Sequence, residues 1–206
     1  MGKIAIKNEK LFKSKTQMVI YTLLFVVIIS LFIYLGNKDY TQDVDDNIKF
    51  AQEFNIDDKD NVFKYTNHSQ VYNIVNGNTG IVLMGHKNNI WLPYYAEIVN
   101  KVAKEVGIDT IYYYDFLDDR NDNNGTYEAI VNKLASYVTY NDVSEAELYS
   151  PTLIVVVGDE IIFYDDETAL MKGNVSPEQY WNSFNTGLKK SELLVVFNEY
   201  IESSGK

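Results

Sequence analysis

The run Ile81-Val82-Leu83-Met84 is apolar without a break. A strand of that kind must be covered on both faces, so the chain has to build layers of helix on each side of a sheet. The residues after it sharpen the reading. Gly85 permits a sharp exit, Asn88 and Asn89 suit a turn or a helix cap, and Pro93 fits a first helical turn. The periodicity predicts a helix over 94–106, stopped by Gly107. A strand leading into a helix N-terminus is where α/β proteins often place chemistry. This turn carries no cysteine, no nucleophile with a base and no phosphate-cradling glycine pattern.

The rest of the chain supplies partners for that strand. Residues 62–66 alternate like a strand, and Ser69 is placed to cap a short helix through Val71, Tyr72, Ile74 and Val75. Residues 109–114 form a further strand, and 115–125 an acidic loop. A helix follows through Tyr127, Ile130, Val131, Leu134, Tyr137 and Val138. Residues 152–157 are another apolar strand, turned back by Gly158-Asp159-Glu160 into 161–164 as a hairpin. Ser176-Pro177-Glu178 opens a final helix whose apolar stripe runs to Ile201, with Gly187 placed to bend it. The order β-α-β-α-β-α-β-β-α predicts an α/β fold with a central mixed sheet flanked by helices.

Charge divides the chain. Residues 1–35 hold five lysines and one glutamate, whereas 36–206 hold 13 basic and 28 acidic side chains, a net −15. Such a domain does not engage nucleic acid through phosphates. Residues 16–37 contain no charge, and 18–35 are apolar over a length that matches a bilayer core. The run is too long for a signal-peptide core, and no small-residue cleavage site follows it. The expected organisation is a cytoplasmic basic tail (1–17), a transmembrane helix (18–35), an acidic spacer with a short helix (36–60) and a folded domain (61–206). With lysines before the span and aspartates after it, the domain lies outside the cell membrane. The bilayer is thus one expected partner. The chain has no cysteine, which excludes disulfides, thiolate catalysis and thiolate metal sites.

Several local matches together resemble a thioredoxin-like domain, and within that superfamily the membrane-anchored thioredoxin-like and bacteriocin transport accessory proteins of Gram-positive bacteria. In that family a strand ending in Gly leads through a short turn to Cys-Pro-Trp-Cys and a helix. Here Gly85 occupies the strand end, Trp91 falls on the tryptophan, and Asn89 and Leu92 stand at the two cysteine positions. The segment 103–107 resembles the end of the family's helix, and 112–115 its third strand. The segment Leu148-Tyr149-Ser150-Pro151-Thr152 resembles the stretch that holds a cis-proline beside the active site. The likeness covers about residues 48–204. Both redox cysteines are missing, so thiol exchange has no sulfur to use. The family's helix-kinking proline is also absent, with Glu97 near its place.

The resemblance implies a cis Ser150–Pro151 bond and a backbone there that takes an extended peptide by strand addition. The alternative is a trans proline that opens a strand with no site nearby. Trp91 is either an aromatic contact for a partner or a packed helix residue. His86 lacks a Ser, Cys or carboxylate at a telling spacing and reads as solvated or packed. His68 reads as a surface cap residue. The loop 118–125 fails as an EF-hand, because setting Gly125 sixth places Arg120 first and Val131 twelfth. The candidate partner-binding face is therefore Asn89, Ile90, Trp91, Leu92, Ser150 and Pro151, with no cofactor, no metal and no catalytic residue. The leading expectation is a redox-inactive, membrane-anchored domain that binds a peptide or protein, by analogy around export, maturation or immunity of secreted peptides. The alternatives are an oxidoreductase-related accessory protein that uses another chain's cysteines, and a structural subunit acting through its transmembrane helix.

Overall fold

The computed structural model describes residues 44–138, 146–170 and 175–205. The expected basic tail, transmembrane helix and membrane orientation lie outside these residues. Among the described residues no helix is long and apolar enough to cross a membrane.

Five strands form one mixed sheet. They are β1 (Phe63–Tyr65), β2 (Gly80–Gly85), β3 (Ile111–Asp115), β4 (Thr152–Val157) and β5 (Glu160–Asp165), in the order β1-β3-β2-β4-β5. The first three run parallel, with Phe63 opposite Ile111 and Gly85 opposite Asp115. β4 is antiparallel to β2, with Leu83 opposite Leu153 and Met84 opposite Thr152. β5 returns antiparallel to β4 through the turn at Gly158-Asp159, with an irregular register at Val155/Val156.

The side-chain period of two explains why the central strands contain no polar break. Ile81 and Leu83 of β2, with Leu153 and Val155 of β4, enter one apolar cluster. Val82 and Met84, with Ile154 and Val156, enter the other. The first cluster is covered by α1 (Asp46–Phe54), α3 (Leu92–Val106) and α7 (Ser183–Ser204). The second is covered by α2 (His68–Val75) and α5 (Gly125–Lys133). Among the described residues there are also two short helices, α4 (Leu117–Asn121) and α6 (Pro177–Tyr180), and a 3-10 turn at Glu167–Leu170.

Four expectations are corrected in detail. The short helix anticipated in the acidic spacer exists as α1, but Phe50, Ala51 and Phe54 are buried and Phe50 stacks on Phe63 at 4.2 Å. The compact unit accordingly begins at Val44. α2 is capped by Asn67, whose side chain accepts from the Gln70 N–H, and not by Ser69. Within the acidic loop, 117–121 is helical, anchored by the buried Phe116 and by an Arg120–Glu147 ion pair at 3.0 Å. The last helix is two helices. The break falls at Trp181-Asn182, where the Asn182 side chain caps α7, while Gly187 lies inside α7.

Candidate functional site

Antiparallel pairing places the start of β4 beside the end of β2, so Ser150-Pro151 faces the turn that leads into α3. The Ser150–Pro151 peptide is cis, as expected. Gly85 makes the close approach possible. A Cβ there would stand 2.7 Å from Ser150 Oγ and 3.0 Å from Leu92 Cδ2.

Asn89 joins the two segments. Its Oδ1 accepts from the N–H groups of Trp91 (2.8 Å) and Leu92 (3.2 Å), satisfying donors that the first turn of α3 leaves open. Its Nδ2 donates to the Ser150 carbonyl at 2.6 Å. The His86 backbone N–H donates to Ser150 Oγ at 3.2 Å. One neutral side chain thereby serves as helix cap and as a brace on the cis-proline segment.

The six candidate residues come together here but differ in access. Ile90 is 66% exposed, and Asn89 and Trp91 are half-buried. Leu92, Ser150 and Pro151 are buried. Leu92 cannot meet a partner, because the first turn of α3 directs it into the core beneath Gly85. Trp91 stands edge-on to Tyr180 of α6, with ring centroids 5.8 Å apart. Tyr180 in turn meets Trp181 at 4.8 Å, and Trp181 lies against Tyr95 at 6.1 Å. Trp91 thus divides its surface between this aromatic row and the exterior. The neighbouring Tyr94 is 38% exposed and extends the accessible rim.

Behind the aromatic row lies a buried charge network without a local sequence signal. Tyr95 donates its hydroxyl to Asp165 Oδ2 at 2.5 Å, and Lys189 Nζ donates to the same oxygen at 2.9 Å. Lys189 also reaches Glu192 at 2.6 Å and Glu167 at 3.2 Å. The Lys189 and Asp165 side chains are each only 6% exposed. Burial pushes the Lys189 ammonium toward neutrality, but the carboxylates of Asp165 and Glu192 outweigh it and raise its pKa. Burial, reinforced by Asp165, holds the Tyr95 phenol well above its ordinary value. Residues 95, 165 and 189 are far apart in sequence, so only folding brings them together.

His86 does not form a catalytic pair with Ser150, since their contact runs through the histidine's backbone N–H. Its ring stands edge-on to Phe116 at 6.0 Å, and its Nδ1 is enclosed without a hydrogen-bond partner. Burial lowers its pKa, opposed by the Asp115 carboxylate. His68 is the first residue of α2, not its cap, and meets Asp119 at 3.1 Å. Asp119 also accepts from the Tyr114 hydroxyl at 2.7 Å. Among the described residues no three His, Asp or Glu side chains are grouped to hold a metal ion.

Compared with protein-family models and with curated protein sequences, the chain matches none.

Proposed function

We propose that this chain is a redox-inactive thioredoxin-like module that grips an extended peptide or protein segment at the accessible Asn89, Ile90 and Trp91, with the buried Ser150-Pro151 segment supporting them from beneath. In this reading residues 18–35 tether it to the cell membrane with the domain outside. The observation that carries the reading is Asn89 joining the turn after β2 to the Ser150 carbonyl at 2.6 Å, with exposed Ile90 and half-exposed Trp91 alongside. Asn89 and Leu92 stand at the positions where the resembled family carries its cysteines, and the chain has no sulfur nucleophile anywhere. A scaffold of this kind holds a ligand by shape, aromatic contact and backbone hydrogen bonds, and carries out no thiol exchange. The analogy with the family extends the proposal to export, maturation or immunity around secreted peptides.

The test is affinity capture of the tagged full chain from detergent-solubilised membranes, comparing wild type with Ile90→Arg and Trp91→Ala. Ile90 is exposed, so its replacement leaves the fold intact. A partner recovered by wild type should be lost from both variants. An identical partner list for all three proteins would refute the proposed face.

A further inference from the structure

Helix α7 is apolar on two sides. One side buries Leu193, Val196, Phe197 and Tyr200 in the core that α3 shares. The other carries Phe184, Leu188 and Val195, which are 70%, 57% and 68% exposed. At about 100° per residue these three fall within about 40° of one another and form one stripe. Ser191 sits on the same stripe and Gly187 at its edge. A Cβ built at Gly187 meets nothing within 4 Å, so nothing among the described residues calls for glycine there. A glycine in the middle of a helix weakens it, and a bare position beside Leu188 admits a closely packed helix from another molecule.

The rim of the stripe has a sign. Glu192 and Glu199 flank one edge, Glu202 ends it, and all three are exposed. Lys189 is buried and already committed to Asp165, Glu167 and Glu192. Lys190 projects to the opposite side of the helix from these glutamates.

We propose that this face docks a basic amphipathic helix of a partner protein. The partner's apolar side chains lie across Phe184, Leu188 and Val195, and its Lys or Arg residues pair with Glu199 and Glu202, Glu192 being already held by Lys189. Charge selects this occupant over a second copy of the chain. Two copies joined antiparallel through the stripe would set glutamate row against glutamate row. Joined in parallel, they would set that row against the uncharged edge formed by Gly187, Leu194 and Ile201. The surface lies on a different element from the Ser150–Pro151 face, and the inference stands apart from that reading.

The experiment uses the full chain in nanodiscs of zwitterionic phosphatidylcholine and fluorescence anisotropy of a labelled helical peptide of about 18 residues. One peptide carries leucines on one face and lysines on the flanks; its counterpart carries glutamates in place of the lysines. The lysine peptide should bind and the glutamate peptide should not. Phe184→Ser/Val195→Ser should weaken binding by about tenfold or more. Glu199→Gln/Glu202→Gln should weaken it and flatten its salt dependence. Circular dichroism checks that each variant is folded, with Leu188→Gln as the replacement should the double serine variant fail. Three outcomes overturn the proposal: equal binding of both peptides, undiminished binding by the folded stripe variants, or no binding of the lysine peptide. Sedimentation showing a wild-type dimer that Val195→Ser dissolves would also overturn it, assigning the stripe to a second copy.

Discussion

Replacing Asn89 with alanine removes both tasks of that side chain at once. The loss of Oδ1 leaves the Trp91 and Leu92 N–H groups without their acceptor, and loss of a helix cap costs about 1 kcal/mol. The loss of Nδ2 strands the carbonyl of Ser150, a residue 6% exposed, and an unsatisfied buried acceptor costs about 1–3 kcal/mol. Water entering at the half-exposed turn recovers part of the second cost, so the expected total is about 2–3 kcal/mol. For a domain of this size that lowers Tm by roughly 4–12 °C. Asn89→Asp separates the two tasks. Its carboxylate still caps α3, and the helix N-terminus favours a negative charge, but it has no donor for the Ser150 carbonyl. Its second oxygen meets the Ser150 carbonyl as acceptor against acceptor across a 2.6 Å contact, so Asn89→Asp should lose at least as much stability as Asn89→Ala despite the retained cap. Urea unfolding followed by tryptophan fluorescence, with the full chain in neutral detergent, measures all three proteins. An alanine variant within about 0.5 kcal/mol of wild type would show that Asn89 does not bridge the segments.

Two further substitutions probe what surrounds the brace. Lys189→Met leaves Asp165 buried and uncompensated, which should cost about 3–5 kcal/mol, whereas Lys189→Met/Asp165→Asn should recover much of that loss. The lysine's pKa is raised in the fold, so its stabilisation is fully present below its unfolded value of about 10.4 and is lost as pH rises through the raised value. Wild type should thus lose stability above about pH 10 by more than the methionine variant, as unfolding midpoints against pH will show. Gly85→Ala forces a methyl against Ser150 Oγ and Leu92 and should destabilise by about 1–3 kcal/mol; a crystal structure of the variant should show Ser150 displaced.

The layered plan was legible because the unbroken apolar runs at 81–84 and 153–157, short and rich in β-branched residues, read as strands covered twice, and periodic stretches such as 94–106 supply the covers. Pro93, Gly107 and Ser176-Pro177 acted where local chemistry predicts, as first-turn proline, left-handed stop and capping box. The helix at 117–121 has no local signal, because Asp118, Asp119 and Arg120 carry no apolar period; tertiary contacts of Phe116 and Arg120 hold it. The break at Asn182 does have a local signal, since Asn182-Ser183 offers a cap of the same kind as Ser176-Pro177.

Local sequence determined most of the strands and helices, where many of them end, and that no thiol chemistry is available; that Ser150-Pro151 stands beside the turn after β2 was implied only by the family resemblance. The first three follow from side-chain periodicity, from backbone preference and from the composition, all properties of neighbouring residues. Tertiary structure alone decided which candidate residues remain accessible, burying Leu92 and Ser150 while exposing Ile90. It also gathered Tyr95, Asp165 and Lys189 into one buried network and left the Phe184 stripe uncovered among the described residues. Access and long-range pairing depend on which surfaces of distant segments meet, and no stretch of chain encodes that by itself.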